Sequence, residues 1–115
     1  LIESVRFYYD DHTYHRLEQF NTNAQILFVP LSEVSSPWLE YFNAEGWSKF
    51  FFPKSALSEK EADENGPLAY IKPIFYRSNE EDVPKIAAYA AIYFSEDAFE
   101  EILKKDSSLK GNFLF

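Results

Sequence analysis

His12 and His15 sit three residues apart in the stretch "FYYDDHTYH" (7–15), beside Asp10 and Asp11, and they are the chain's two histidines. Two imidazoles at this spacing can converge on a metal ion from a helix, with Asp10 or Asp11 completing the ligand set. From a strand they would point to opposite faces and share nothing. The spacing is shorter than that of the helical H-E-x-x-H pattern, and no third histidine exists, so no metal site is assigned and a solvated turn is expected. A histidine beside a carboxylate is also competent as a general base, since imidazole titrates near neutrality. No G-x-S-x-G nucleophile turn accompanies it, and three glycines are too few for a phosphate-cradling loop. No catalytic residue is assigned, and a small His-dependent hydrolase stands last among the readings.

Two aromatic clusters come next, "PWLEYF" (37–42) and "GWSKFFFP" (46–53). Trp38, Tyr41, Trp47 and Phe51 are of the types that dominate binding hot spots and line ligand grooves. The same residues at helical or strand spacing also fill cores. If "FFF" is a strand, Phe51 faces away from Phe50 and Phe52, so either both faces are covered or one ring is exposed.

Carboxylates form the third group. Glu59, Glu61, Asp63 and Glu64 crowd "SEKEADENG" (58–66), and Glu80, Glu81 and Asp82 crowd "RSNEEDVP" (77–84). Such runs are ordinarily solvated; here they are also candidates for engaging a basic protein surface. The spacing and glycine of a calcium-binding EF-hand loop are missing.

Bulk properties narrow the setting. The 115 residues carry 19 acids against 11 bases, a net charge of −8. Phosphate backbones and anionic membranes repel such a surface, so neither nucleic acid nor membrane is an expected partner, whereas a basic protein is attracted. The apolar run "AAYAAIYF" (87–94) falls far short of a bilayer span. Cysteine is absent, which excludes disulfides, thiolate chemistry and cysteine-ligated metal. A Cys-free chain suits cytosol and periplasm alike; with no leader-like pattern at the start, a cytoplasmic location is favoured. With methionine also absent, twelve Phe, eight Tyr and two Trp must build much of the core.

These groups are positioned by elements legible in the pattern. "ESVRFYYD" (3–10) alternates Val5, Phe7 and Tyr9 with Ser4, Arg6 and Tyr8, a half-buried strand. "YHRLEQF" (14–20) reads as a second strand across a turn, with a helix as the alternative. "QILFVPL" (25–31) reads as a buried strand ending near Pro30. Ser36 and Pro37 open a helix over about 37–45, with Trp38, Tyr41 and Phe42 on one face and Gly46 to close it. "WSKFFFP" (47–53) reads as a strand. Ser58 and Glu61 have capping-box spacing and Asn65-Gly66 is a stop, but with little apolar face the segment is expected to be an exposed turn of helix or an acidic loop outside the core.

"LAYIKPIFY" (68–76) and "KIAAYAAIYF" (85–94) read as paired long strands, although the four alanines of the second leave a helix open. "SEDAFEEILKKD" (95–106) carries the clearest helix, over 96–105. Ser95 caps it, Glu96 and Asp97 sit at the positive end of the dipole, and Phe99, Ile102 and Leu103 form its stripe. "GNFLF" (111–115) is a last strand or a docking tail. The sum is an α+β fold: a single domain over 1–115, five or six mainly antiparallel strands in one sheet, and two short packed helices.

The favoured function is an acidic protein-interaction domain without cofactor, in its most concrete form an inhibitor or immunity-type protein masking a basic partner surface. Its candidate contacts are Glu59, Glu61, Asp63, Glu64, Glu80, Glu81, Asp82, Trp38, Tyr41, Trp47 and Phe51. The alternative is a small-ligand-binding domain with an aromatic pocket.

Overall fold

The computed structural model describes residues 2–44, 47–77 and 83–105. The two long apolar runs are strands: β4 (Leu68–Tyr76) and β5 (Lys85–Phe94) pair antiparallel from Leu68↔Phe94 to Tyr76↔Lys85, with one bulge between Ile74 and Phe75. Alternating Ile and Tyr outweigh the four alanines of β5 because they fit a pleated surface. Strand β1 (Ile2–Tyr9) pairs antiparallel with the other side of β5, setting Val5 opposite Ile92 and Tyr8 opposite Tyr89. Outside β1 lies β2 (Ile26–Pro30), and a two-residue β3 (Phe51–Phe52) closes the far edge. Among the described residues the order is β2-β1-β5-β4-β3, one five-stranded sheet, and with three short α-helices the class is α+β.

The β1–β2 pairing is parallel, Val5 beside Ile26 and Tyr8 beside Val29. Parallel neighbours need a crossover, and residues 10–25 supply it. Residues 14–20 are therefore not a second strand. Arg16 enters the left-handed region at φ 59°, breaking the extended run, and Leu17–Phe20 form a 3₁₀ turn. Tyr9 ties this turn down by donating its hydroxyl to Glu18. Asn21 then lies along the free edge of β2: its Nδ2 donates to the Phe28 carbonyl at 3.1 Å, and the Phe28 N–H donates to its Oδ1 at 2.7 Å.

The sheet's two faces differ. Beneath the helices lie Ser4, Arg6 and Tyr8 of β1, then Tyr89, Ala91 and Tyr93 of β5, then Ala69 and Ile71 of β4, all buried. The polar half of the β1 alternation thus faces inward, while Val5 and Phe7 sit half-buried on the opposite face with Tyr70 and Ile92. Of the apolar half only Tyr9 is fully buried.

Helix α1 (Pro37–Asn43) starts at Ser36 as expected and drives its aromatic stripe into the sheet. Trp38 and Phe42 are buried, and Tyr41 is half-buried. Phe42 is the hub: its ring centroid lies 5.3 Å from Tyr89, 5.4 Å from Trp47, 5.5 Å from Phe52 and 6.1 Å from Trp38. Rings of this size contribute roughly 1.5–3 kcal/mol each on burial. Gly46, the expected closing residue, lies outside the described residues; Ala44 ends the helix.

Helix α2 (Glu59–Asn65) corrects the expectation of a segment outside the core. Ala62 and Glu61 are both buried against the sheet. The chain stops at Gly66, whose φ of +138° suits glycine. A Cβ there would lie 3.1 Å from Cβ of Tyr93 and 3.2 Å from the Phe94 carbonyl oxygen, so glycine lets α2 end directly on β5. Ser95 opens α3 (Glu96–Lys105), its Oγ accepting from the Ala98 N–H at 3.3 Å. The side chains of Phe99, Ile102 and Leu103, and residues 111–115, lie outside the description. No helix among the described residues is long and apolar enough to cross a membrane.

Candidate functional site

Helix α2 is short and acidic, and its capping box decides which carboxylates turn inward. Ser58 Oγ accepts from the Glu61 N–H at 3.1 Å, and the Glu61 carboxylate accepts from the Ser58 N–H at 3.3 Å. Glu61 is thereby held against the core. Its two oxygens also take hydrogen bonds from the Ser36 hydroxyl, from Trp38 Nε1 at 3.0 Å, and from the Tyr93 hydroxyl. Ser36 therefore spends its hydroxyl on Glu61 and makes no side-chain cap to α1.

The network continues in one direction. With the Tyr93 proton committed to Glu61, Tyr8 donates to Tyr93 at 2.5 Å, and Asn65 Nδ2 donates to Tyr8 at 3.4 Å. Burial pushes both phenols far above the ordinary tyrosine range, so both hold their protons. Glu61 and Trp38 belong to the interior and are corrected from partner-contact candidates to core members. Buried indole and phenol donors require acceptors, and Glu61 supplies them.

The remaining acids of α2 face outward. Glu59, Asp63 and Glu64 are exposed. Because Gly66 brings the end of α2 against β5 just before α3 begins, Asp63 and Glu64 meet Glu96 and Asp97 across a cleft of about 470 Å³. Glu3 of β1 joins them, and among the described residues neither lysine nor arginine lines that space. The carboxylates are spread too widely to grip an ion: among the described residues no group of three or more His, Asp or Glu side chains is placed to hold a metal. Glu3, Glu96 and Asp97 were not legible as site residues, since only the tertiary fold assembles them.

A second cavity, about 320 Å³, opens between β1, β2 and α2. Arg6, only 7% exposed, borders it beside Tyr8 and Asn65, with Leu27, Val29 and Val34 as apolar wall. Arg6 Nη1 donates to the Val5 carbonyl at 2.9 Å and to the Gln25 carbonyl at 3.0 Å. An arginine on an alternating strand ordinarily marks the solvent side, which is why sequence reasoning passed over it.

The other candidates fall elsewhere. Tyr41 accepts at its hydroxyl from the N–H groups of Ser48 and Lys49, at 2.9 and 2.8 Å, fixing the loop after α1. Trp47 is half-buried, stacks on the half-exposed Phe75 at 5.8 Å, and donates Nε1 to the Ala44 carbonyl. Phe51 meets Tyr70 edge-on at 4.8 Å and is half-buried. Glu80, Glu81 and Asp82 lie outside the described residues.

The histidine stretch is a turn. Asp10 accepts from the His12 N–H at 3.0 Å and the Thr13 hydroxyl at 2.7 Å, and Asp11 accepts from the Ser32 N–H at 3.0 Å. The Thr13 hydroxyl chiefly holds Asp10 below the usual carboxylate range, and Ser32 does the same for Asp11. His12 and His15 are exposed. Compared with known proteins, the chain matches no family model, no curated protein and no solved structure.

Proposed function

We propose that this chain is an acidic protein-interaction domain that receives a lysine- or arginine-rich segment of a partner protein in the cleft between α2 and α3. The observation that carries the reading is the convergence of Glu3, Asp63, Glu64, Glu96 and Asp97, from three separate elements, around a space with no basic lining among the described residues. Clefts lined by one sign of charge focus the field and raise the local concentration of opposite charge. At exposed positions each pair contributes about 1 kcal/mol or less, so the acids govern approach rate and orientation more than affinity. A domain that masks a cationic surface in this way acts as an inhibitor or immunity-type protein toward its partner.

A deca-lysine peptide tests the reading. It is expected to shift the backbone resonances of Glu3, Asp63, Glu64, Glu96 and Asp97 saturably, with affinity falling steeply as salt rises. The double variant Asp63→Lys/Asp97→Lys should abolish this, while Glu59→Lys, outside the cleft lining, should weaken it only slightly. Shifts scattered evenly over the surface, or an unchanged affinity in the double variant, overturn the proposal.

A further inference from the structure

Beyond protein recognition, we infer that the Arg6 cavity is a separate binding site for a small organic monocarboxylate with an apolar body. Arg6 is a buried cation with no carboxylate within ion-pair distance among the described residues. Its hydrogen bonds go to two backbone carbonyls through Nη1 alone. No fully buried side-chain nitrogen among the described residues lacks a partner, so Nε and Nη2 of Arg6, which bond to no other described residue, retain solvent exposure, and the cavity is the space that Arg6 borders. These two N–H groups lie side by side on one edge of the guanidinium, the fork that holds both oxygens of a carboxylate. A buried guanidinium is costly without such a partner.

The rest of the cavity fixes the class of ligand. Leu27, Val29 and Val34 form an apolar wall for a hydrocarbon body, and the volume of about 320 Å³ is at the small end of ligand pockets. Exposed Glu33, Glu64 and Lys60, buried Glu61 and three serines also line it, so beside Arg6 the cavity carries three carboxylates against one lysine. That balance repels polyanions such as nucleotides and tolerates a single charge satisfied at Arg6. Glu61 does not compete for the guanidinium, since both its oxygens are already bonded to Ser36, Trp38 and Tyr93.

Hexanoate is the probe, titrated into the full chain with hexan-1-ol and inorganic phosphate as comparisons. Hexanoate is expected to shift the amides of Leu27, Val29 and Val34 saturably, and to bind about tenfold or more tightly than hexan-1-ol, because only the carboxylate engages Arg6. Arg6→Gln should remove that preference. Leu27→Glu, which sets a carboxylate on the cavity wall, should abolish hexanoate binding in a folded chain, so the test survives if Arg6→Gln fails to fold. The inference is overturned if hexanoate shows no saturable shift, if the alcohol binds equally well, or if Leu27→Glu leaves binding unchanged. It is equally overturned if phosphate displaces hexanoate at comparable concentration. Because the Arg6 cavity and the α2–α3 cleft are lined by mostly different residues, either proposal can fail while the other stands.

Discussion

Glu61 of α2 accepts a hydrogen bond from the hydroxyl of Tyr93 in β5, joining the most acidic helix to the central strand of the sheet. Replacing Glu61 with alanine strands the Ser36, Trp38 and Tyr93 donors in the interior. Each buried donor left unpaired costs about 1–3 kcal/mol, so Glu61→Ala should destabilise by about 3 kcal/mol or more. Glu61→Gln, keeping one acceptor oxygen and turning a donor toward other donors, should fall in between. Urea unfolding checks this through the midpoint at constant slope; a loss under about 1 kcal/mol for Glu61→Ala contradicts the role given to the network.

Asn21 shields the Phe28 N–H and carbonyl on the open edge of β2. Such edges template pairing with other chains. Asn21→Leu should therefore produce concentration-dependent association, visible by light scattering, with little change in the monomer's secondary structure. A variant that stays monomeric at high concentration counts against this function of Asn21.

Alkaline pH should expose the buried phenols. Tyr8 and Tyr93 have their pKa values raised by burial above the unfolded value of about 10. Their stabilisation is complete below that pH and declines above it, because the unfolded chain ionises first. Titration by phenolate absorbance should show Tyr8 and Tyr93 ionising only as the chain unfolds, while the hydrogen bond to Glu18 raises Tyr9 and burial raises Tyr89 as well. Ionisation of all eight in one reversible step without unfolding would contradict it.

Acid acts through the crossover. Hydrogen bonds from Thr13 to Asp10, from Ser32 to Asp11 and from Tyr9 to Glu18 hold these carboxyls below their ordinary values. Their contribution is present above about pH 4 and is lost as pH falls through the lowered values. Asp10→Asn should be less stable than the parent near neutrality, with the difference shrinking at strongly acidic pH. A difference independent of pH would show that Asp10 acts by shape alone.

The parts of this fold legible in sequence are those set by local rules. The Ser95 cap, the Trp38–Tyr41–Phe42 stripe and the period-two runs of β4 and β5 each declare themselves within a dozen residues. The misread segments depend on distant partners. Residues 14–20 read as a strand across a turn, but β1 takes β2 as a parallel neighbour and the chain between must cross over. Glu61 resembled its neighbours Glu59 and Asp63 until Trp38 and Tyr93 supplied donors from elsewhere. Of the acidic cleft, Asp63 and Glu64 were visible as a charge run, while Glu3, Glu96 and Asp97 join them through tertiary packing.

The place of β1 in the sheet bears on how the molecule assembles. Its main partner, β5, begins more than seventy residues later, as the pairing of Tyr9 with Ala88 marks. The β4–β5 hairpin has a short connection and can nucleate early, whereas β1 must wait for the far end of the chain before its pairing repays the loop-closure entropy. During synthesis on a ribosome the first strand therefore emerges long before β5 can zip to it. Folding should be slow relative to helical domains of this length, and mutations at the β1–β5 seam should change the unfolding rate more than the refolding rate.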